Sequence, residues 1–227
     1  MSANALFSSS IGKGFLSGIT GFFLISFLIV HASINSMIWF NDGGVTFNKW
    51  AHFMGSNLII RIMEIGLFFG LILHAVVGLL LYKQNRDARP VKYLFSKWPK
   101  SITWYSRSMT LLGTLILLFL IVHLSNFWIK TRFTGIDQYG LDAKNQENLF
   151  ALMVQVFHNP LVVLIYVAGC FSLFWHLLHG FKSAFQSLGL SHLKYNEAIA
   201  VAGIAFSIIV SIIFALMPIT LYLGWVR

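Results

Sequence analysis

An all-α membrane protein with five transmembrane helices is the fold class this sequence predicts, and three observations predict it. Of its 227 residues, 57% are hydrophobic and 10% charged, where a soluble domain carries about 25% charged residues. Five apolar windows are each long enough to cross a bilayer, which takes about 20 residues. Histidines recur inside four of those windows, although a polar ring at membrane depth is costly unless it is paired.

The first window covers roughly residues 14–40 and follows "MSANALFSSSIGKGF". Its apolar run is too long for a cleaved signal peptide and no small-residue cleavage site closes it, so it reads as a retained span. The second window covers 57–83, the third 104–130, the fourth 157–185 and the fifth 196–225. Helices are expected in all five, because a helix satisfies its own backbone in hydrocarbon and the alternating pattern of barrel strands is absent. The whole chain, 1–227, then reads as a single integral membrane domain.

Charge sets the direction of the spans. The stretch "YKQNRDARPVKYLFSKWPK" after span two holds Lys83, Arg86, Arg89, Lys92, Lys97 and Lys100 against Asp87. Basic loops collect on the cytoplasmic side, which places the N-terminus inside and Arg227 outside. Lys182 and Lys194 agree, and the mixed-sign loop "KTRFTGIDQYGLDAKNQENLF" fits the outer face. The net charge of +9 is thus a matter of topology, and no nucleic-acid partner is expected.

The five letters "FLIVH" occur at Phe27–His31 and again at Phe119–His123, followed within four residues by Asn35 and Asn126. Of eight histidines, His52 and His192 fall in loops and His158 opens span four. His31, His74, His123, His176 and His179 lie inside spans. Spans one and three run outward and carry His31 and His123 late; spans two and four run inward and carry His74 and His176 late. At 1.5 Å per residue the two levels differ by roughly 10–15 Å. Gly21 precedes His31 by ten residues, as Gly113 precedes His123, and "HAVVG" and "HLLHG" place Gly78 and Gly180 four after His74 and His176. Each glycine either opens a hollow beside a ring or lets helices approach.

Four histidines, one per helix and paired by depth, do not suit zinc, which wants its ligands on one centre. They suit two b-type haems, each held by two axial imidazoles in a bundle formed by the first four helices. With both axial positions filled, electron transfer is the expected chemistry. The single Cys170 makes no internal disulfide, and no C-x-x-C-H motif exists for covalent haem. His179, one turn from His176, is read as a partner for a haem propionate or as packing.

Four segments carry a family likeness: "SGITGFFLISFLIVH", "MEIGLFFGLILHAVVGLLLYK", "WYSRSMTLLGTLILLFLIVHL" and "FSLFWHLLHGFKSAFQSLGL". Over about residues 12–225 the chain resembles the membrane cytochrome b subunit of succinate dehydrogenase/fumarate reductase, in its single-chain, five-helix, dihaem form. The resemblance implies a distal haem on His31 and His123 and a proximal haem on His74 and His176. It implies two further subunits on the cytoplasmic face of a bacterial inner membrane, a flavoprotein and an iron–sulfur protein. It also implies a membrane quinone as redox partner, menaquinone in the dihaem form. The chain itself holds no dinucleotide fingerprint and no cysteine cluster, so it is expected to be the anchor and electron conduit alone.

Other polar residues are read with an alternative beside each. Arg61 and Glu64, at i and i+3 on span two, form an intrahelical ion pair, or Glu64 exchanges protons with the quinone. Ser17 and Arg107 start spans one and three, and both, with Arg61 and His179, are read as contacts for a haem propionate or the quinone; for Arg107 the alternative is one more inside charge. Lys92 and Lys97 are plain cytoplasmic charge or touch the iron–sulfur partner. Span five, with Pro218 inside it, is expected to pack outside the haem chemistry. Two rivals remain: a dihaem cytochrome of another quinone-linked dehydrogenase, and a haem-free transporter, which would show broken helices or repeated charges.

Overall fold

Among the described residues, five helices are long and apolar enough to cross a membrane. The computed structural model describes residues 9–88, 104–142 and 147–227; Arg89, Lys92, Lys97 and Lys100 lie outside them. Span one is the helix Ser10–Asn35, continued by the 3-10 segment Ser36–Phe40. Span two is Leu58–Asp87. Span three is Met109–His123, with the helical turn Trp104–Arg107 before it and two π-helical segments, Leu124–Trp128 and Lys130–Thr134, behind it. Span four is Pro160–Ser187 and span five Asn196–Tyr222. No strand forms among the described residues; one antiparallel bridge joins Leu141 to Glu147.

Side-chain caps set where the spans begin. The Ser9 hydroxyl accepts from the Gly12 amide at 3.0 Å. Asn57 accepts from the Ile59 and Ile60 amides at 3.0 and 3.3 Å. Each bond satisfies an N–H that has no partner inside its helix. Span four starts at Pro160, three residues later than hydropathy suggests. Asn159 caps it at 2.9 Å through the Leu161 amide, and proline suits a first turn because its missing N–H is not needed there.

One end of the bundle is capped. The short helix Val45–Ser56 lies between spans one and two, and Leu149–Phe157 between spans three and four. Both fall in stretches read from sequence as loop. The Thr46 hydroxyl at 2.6 Å and its amide at 3.0 Å bond to Asp42 ahead of the first; the hydroxyl foremost holds the Asp42 carboxyl below its usual range. Buried Asn48 joins the two short helices, accepting from the Phe150 amide at 2.9 Å and donating to Asn148 Oδ1 at 3.0 Å. The largest core of the protein sits here, around Ile38, Phe47, Ile136, Leu152, Phe157 and Val226. The chain end closes on it: the Gly43 amide donates to the Arg227 carbonyl at 3.1 Å and the Arg227 amide to Asn41 Oδ1 at 2.8 Å.

Away from the cap the packing is looser. Span one lies along spans two and four, span three along span four, and span five along span four most of all, whereas spans two and three touch only lightly. In their most apolar windows 11% of span two and 6% of span three is buried, against 33% of span four. Apolar faces left open on this scale match a hydrocarbon surround rather than water.

Candidate functional site

The imidazoles meet in two pairs. The ring centroids of His31 and His123 lie 5.8 Å apart with planes at 89°. Those of His74 and His176 lie 6.2 Å apart at 72°. A Cβ placed on Gly21 of span one would sit 3.6 Å from His74 Cε1, and one on Gly113 of span three 3.6 Å from His176 Cε1. His31 follows Gly21 by ten residues and His123 follows Gly113 by ten. At 1.5 Å per residue the two pairs therefore stand about 15 Å apart along the bundle. The repeated stretch serves both levels at once: its glycine faces the far-level pair and its histidine belongs to the capped-level pair.

The other two glycines face no imidazole of a neighbouring span and stand beside open space. A Cβ on Gly78 would meet nothing within 4 Å, and one on Gly180 only Met109 Cε at 4.0 Å. Close approach of backbone to imidazole comes from the neighbouring span, not from the glycine four residues along. Rotation of one helix against another decides that, and sequence spacing does not record it.

Aromatic rings surround the capped-level pair. His31 stacks on Phe27 at 5.1 Å and meets Phe214 of span five at 5.6 Å, so span five packs against this pair. His123 lies 5.7 Å from Phe119, 5.6 Å from Phe127 and 5.8 Å from Tyr166. The two asparagines that follow the repeat part company. Asn35 donates to the His31 carbonyl at 2.8 Å with its Nδ2 3.4 Å from the ring Nδ1, while Asn126 donates to the Tyr166 hydroxyl at 3.2 Å.

The far-level pair has a polar neighbour that sequence reading missed. Thr20 Oγ1 lies 3.0 Å from His74 Nδ1 and donates back to the Leu16 carbonyl at 2.8 Å. With its one proton given to the Leu16 carbonyl, the hydroxyl oxygen is open to accept from Nδ1–H, the tautomer that leaves Nε2 as a lone-pair donor. The Ser17 carbonyl lies 3.2 Å from the same Thr20 hydroxyl. His176, not His179, faces His74; His179 faces Tyr105 at 6.4 Å. Arg107 is exposed at the end of its helical turn. His123 Nδ1 and His176 Nδ1 are buried and have no hydrogen-bond partner among the described residues.

Glu64 belongs to a larger cluster than the intrahelical pair. Arg61 reaches Oε2 at 3.1 Å, and Arg132, from the π-helical end of span three, reaches the same oxygen at 3.2 Å. Trp128 donates its indole N–H to Oε1, and Arg132 also donates to the Gly55 carbonyl at 3.3 Å. Glu64 precedes His74 by ten residues on span two, which puts it about 15 Å away, at the level of His31. Trp128 and Arg132 are four apart and close the end of span three, the one signal that could have pointed to them; Arg132 falls two residues past the expected end of that span and so reads as a loop charge.

Metal–imidazole bonds of about 2 Å set the centroids of two axial rings roughly 6 Å apart. Both pairs stand at that separation with the rings half-buried rather than sealed. Among the described residues no three His, Cys, Asp or Glu side chains converge on one point, so each pair offers two ligands and the rest of a coordination sphere must come from elsewhere. A porphyrin supplies four equatorial nitrogens. The donor set therefore fits haem, and the two unpartnered buried Nδ1 atoms mark rings whose positions hydrogen bonding within the protein does not explain. Comparison with known proteins found no matching family model, no matching curated protein and no matching solved structure.

Proposed function

We propose that this chain is a dihaem b-type cytochrome, the membrane anchor of a succinate:quinone oxidoreductase that passes electrons between an iron–sulfur subunit and a membrane quinone. One observation carries the electron-transfer part: two facing imidazole pairs, from four different spans, at levels about 15 Å apart. The succinate-linked part rests on the four quoted segments and their order.

In this reading His31 and His123 hold one haem iron through their ring nitrogens, and His74 and His176 the other. When bound, each haem supplies a one-electron iron couple. Thr20 orients His74. The aromatic rings at the capped level exclude water from their pair. Glu64 exchanges protons with the quinone, menaquinone in the dihaem form of the family, and Arg61 shares its charge. Arg107 and His179 flank the far-level pair as candidates for the propionate edge. The basic residues after span two put the far level on the cytoplasmic side of a bacterial inner membrane, with the N-terminus cytoplasmic. There the flavoprotein and iron–sulfur subunits dock.

A reduced-minus-oxidised spectrum and a pyridine haemochrome count test this directly. A b-type α band with two haems per chain is the expected result. A purified chain with no haem would remove the reading altogether, and co-purification with a hydrogenase or formate dehydrogenase would move the anchor to another complex.

A further inference from the structure

The short helix Val45–Ser56 of the cap has three faces, and its outward surface is divided between two of them. At about 100° per residue, Phe47, Ala51 and Asn48 share one arc. That arc is turned into the cap: Phe47 and Asn48 are buried and Ala51 packs on the core. His52, Ser56 and Lys49 share a second arc, which is exposed and polar except for Val45 at the helix start. Trp50, Phe53 and Met54 share the third. Trp50 is 39% exposed and Phe53 47%, and their rings meet edge-on at 5.9 Å. Thr46 falls on the same arc, with its hydroxyl bonded to Asp42. A helix surrounded by water is polar over its whole outward surface, and one surrounded by hydrocarbon is apolar over all of it. Here polar and apolar residues are sorted to either side of a line that runs along the helix.

We propose that Val45–Ser56 is a phospholipid-binding helix that lies along the lipid–water boundary at the capped end of the bundle, with Trp50 and Phe53 seated in lipid and Lys49 and His52 in water. Its place in the chain favours this occupant. The helix joins span one to span two, and Asn57 alone separates it from span two. Leu58, Ile59 and Ile62 in the first turns of span two are apolar and exposed, so the apolar surface that begins at Trp50 and Phe53 continues along the chain onto a face made for hydrocarbon. An indole suits this depth, because its ring is apolar and its N–H finds water or headgroup oxygens. The Lys49 ammonium stands 5.8 Å from the centre of the Trp50 ring, at the margin between the two arcs. Phosphate oxygens of the headgroups supply its counter-charge there. Helices of this kind sink their apolar face about 5–10 Å into the headgroup and acyl boundary. The Gly55 carbonyl in the last turn accepts from Arg132 at 3.3 Å, which ties the helix to the end of span three. The inference concerns the cap alone and holds whatever the four histidines bind.

The test reconstitutes the full chain in phosphatidylcholine vesicles and spin-labels one introduced cysteine at a time: Trp50→Cys, Phe53→Cys, Lys49→Cys or His52→Cys. Native Cys170 is buried, so the label goes to the introduced thiol. Power saturation compares collisions with oxygen, which concentrates in lipid, and with a neutral nickel chelate, which stays in water. The oxygen-to-nickel ratio should be about threefold or more higher at positions 50 and 53 than at 49 and 52. A second measurement keeps the native rings. In vesicles of dibrominated phosphatidylcholine, whose bromines quench indoles that touch lipid, the emission lost on Trp50→Phe should be about twofold or more smaller than in unbrominated vesicles. If all four labels collide freely with the nickel chelate and Trp50 is not quenched, the helix stands clear of the bilayer and the proposal fails. If all four meet oxygen and none meets nickel, the helix lies wholly in hydrocarbon and there is no boundary along it. If all four are shielded from both reagents, a second copy of the chain covers the helix in place of lipid.

Discussion

The two imidazole pairs are alike in their rings and unlike in their walls. At the capped level, Phe27, Phe119, Phe127, Tyr166 and Phe214 stand around His31 and His123, next to the largest core of the protein. At the far level, glycine backbone faces each ring, Gly21 against His74 and Gly113 against His176, and the local core is small. The lesson is that one helical stretch has been used for two purposes. Three turns of span one, and again of span three, separate a residue with no side chain from a residue with a ring. The capped pair is held by bulk, the far pair by the absence of it.

The largest effect should come from the rings themselves. His123→Ala removes one ligand of the capped pair and His176→Ala one of the far pair. Each should lower the haem count from two to one per chain and remove about half of the b-type difference spectrum. His179→Ala, whose ring faces Tyr105, should leave both. If His179→Ala removed a haem and His176→Ala did not, the pairing at the far level would have to be redrawn.

The walls should come next, and here the two levels ought to respond in opposite ways. Gly113→Leu places a branched side chain where even a Cβ lies 3.6 Å from His176. Overpacking of that kind costs about 1–3 kcal/mol and displaces neighbours, so the far-level haem should be lost or bound several-fold more weakly while the capped-level haem stays. Gly113→Ala fits at ordinary contact distance and should bind both. Gly78→Leu is the control: it points into open space and should change neither spectrum. A loss at Gly78 instead of Gly113 would restore the expectation drawn from the H-x-x-x-G spacing.

Much of this was legible in the sequence, for a physical reason. Long apolar runs leave a chain few options in hydrocarbon, so the five spans and the depth of each histidine follow from hydropathy and direction alone. The short helices Val45–Ser56 and Leu149–Phe157 did not stand out, because one mixes polar and apolar residues and the other runs straight into span four's apolar run. Nor did the π-helical end of span three, since the side-chain pattern of a π turn resembles that of an α turn. What sequence could not give is rotation. Thr20 beside His74, Phe214 beside His31 and Arg132 beside Glu64 are each contacts between spans, and no spacing within one span encodes them. Glu64 stands out in the sequence as an acid within a span, whereas its neighbours Trp128 and Arg132 from span three do not.

The finest difference between the levels is a single hydroxyl, and it should be measurable as a potential. Thr20 accepts from His74 Nδ1–H, and a ring whose second nitrogen donates a hydrogen bond is a more basic metal ligand. A more basic imidazole favours ferric over ferrous iron, so under the proposed dihaem reading the bond would lower the midpoint potential of the haem held at the far level. Thr20→Val removes the acceptor with little change of shape. The bond is worth about 1 kcal/mol net, and for a one-electron couple 59 mV corresponds to about 1.4 kcal/mol. Only the part of that energy that differs between ferric and ferrous iron moves the potential, so the far-level midpoint should rise by up to roughly 40 mV. Thr20→Ser, which keeps the hydroxyl, should sit near the native value. The capped-level haem, about 15 Å away along span one, should not move. Redox titration of membranes with optical detection resolves the two midpoints. A shift of both haems together, or of neither, would mean that Thr20 serves the packing of span one and not the ring beside it.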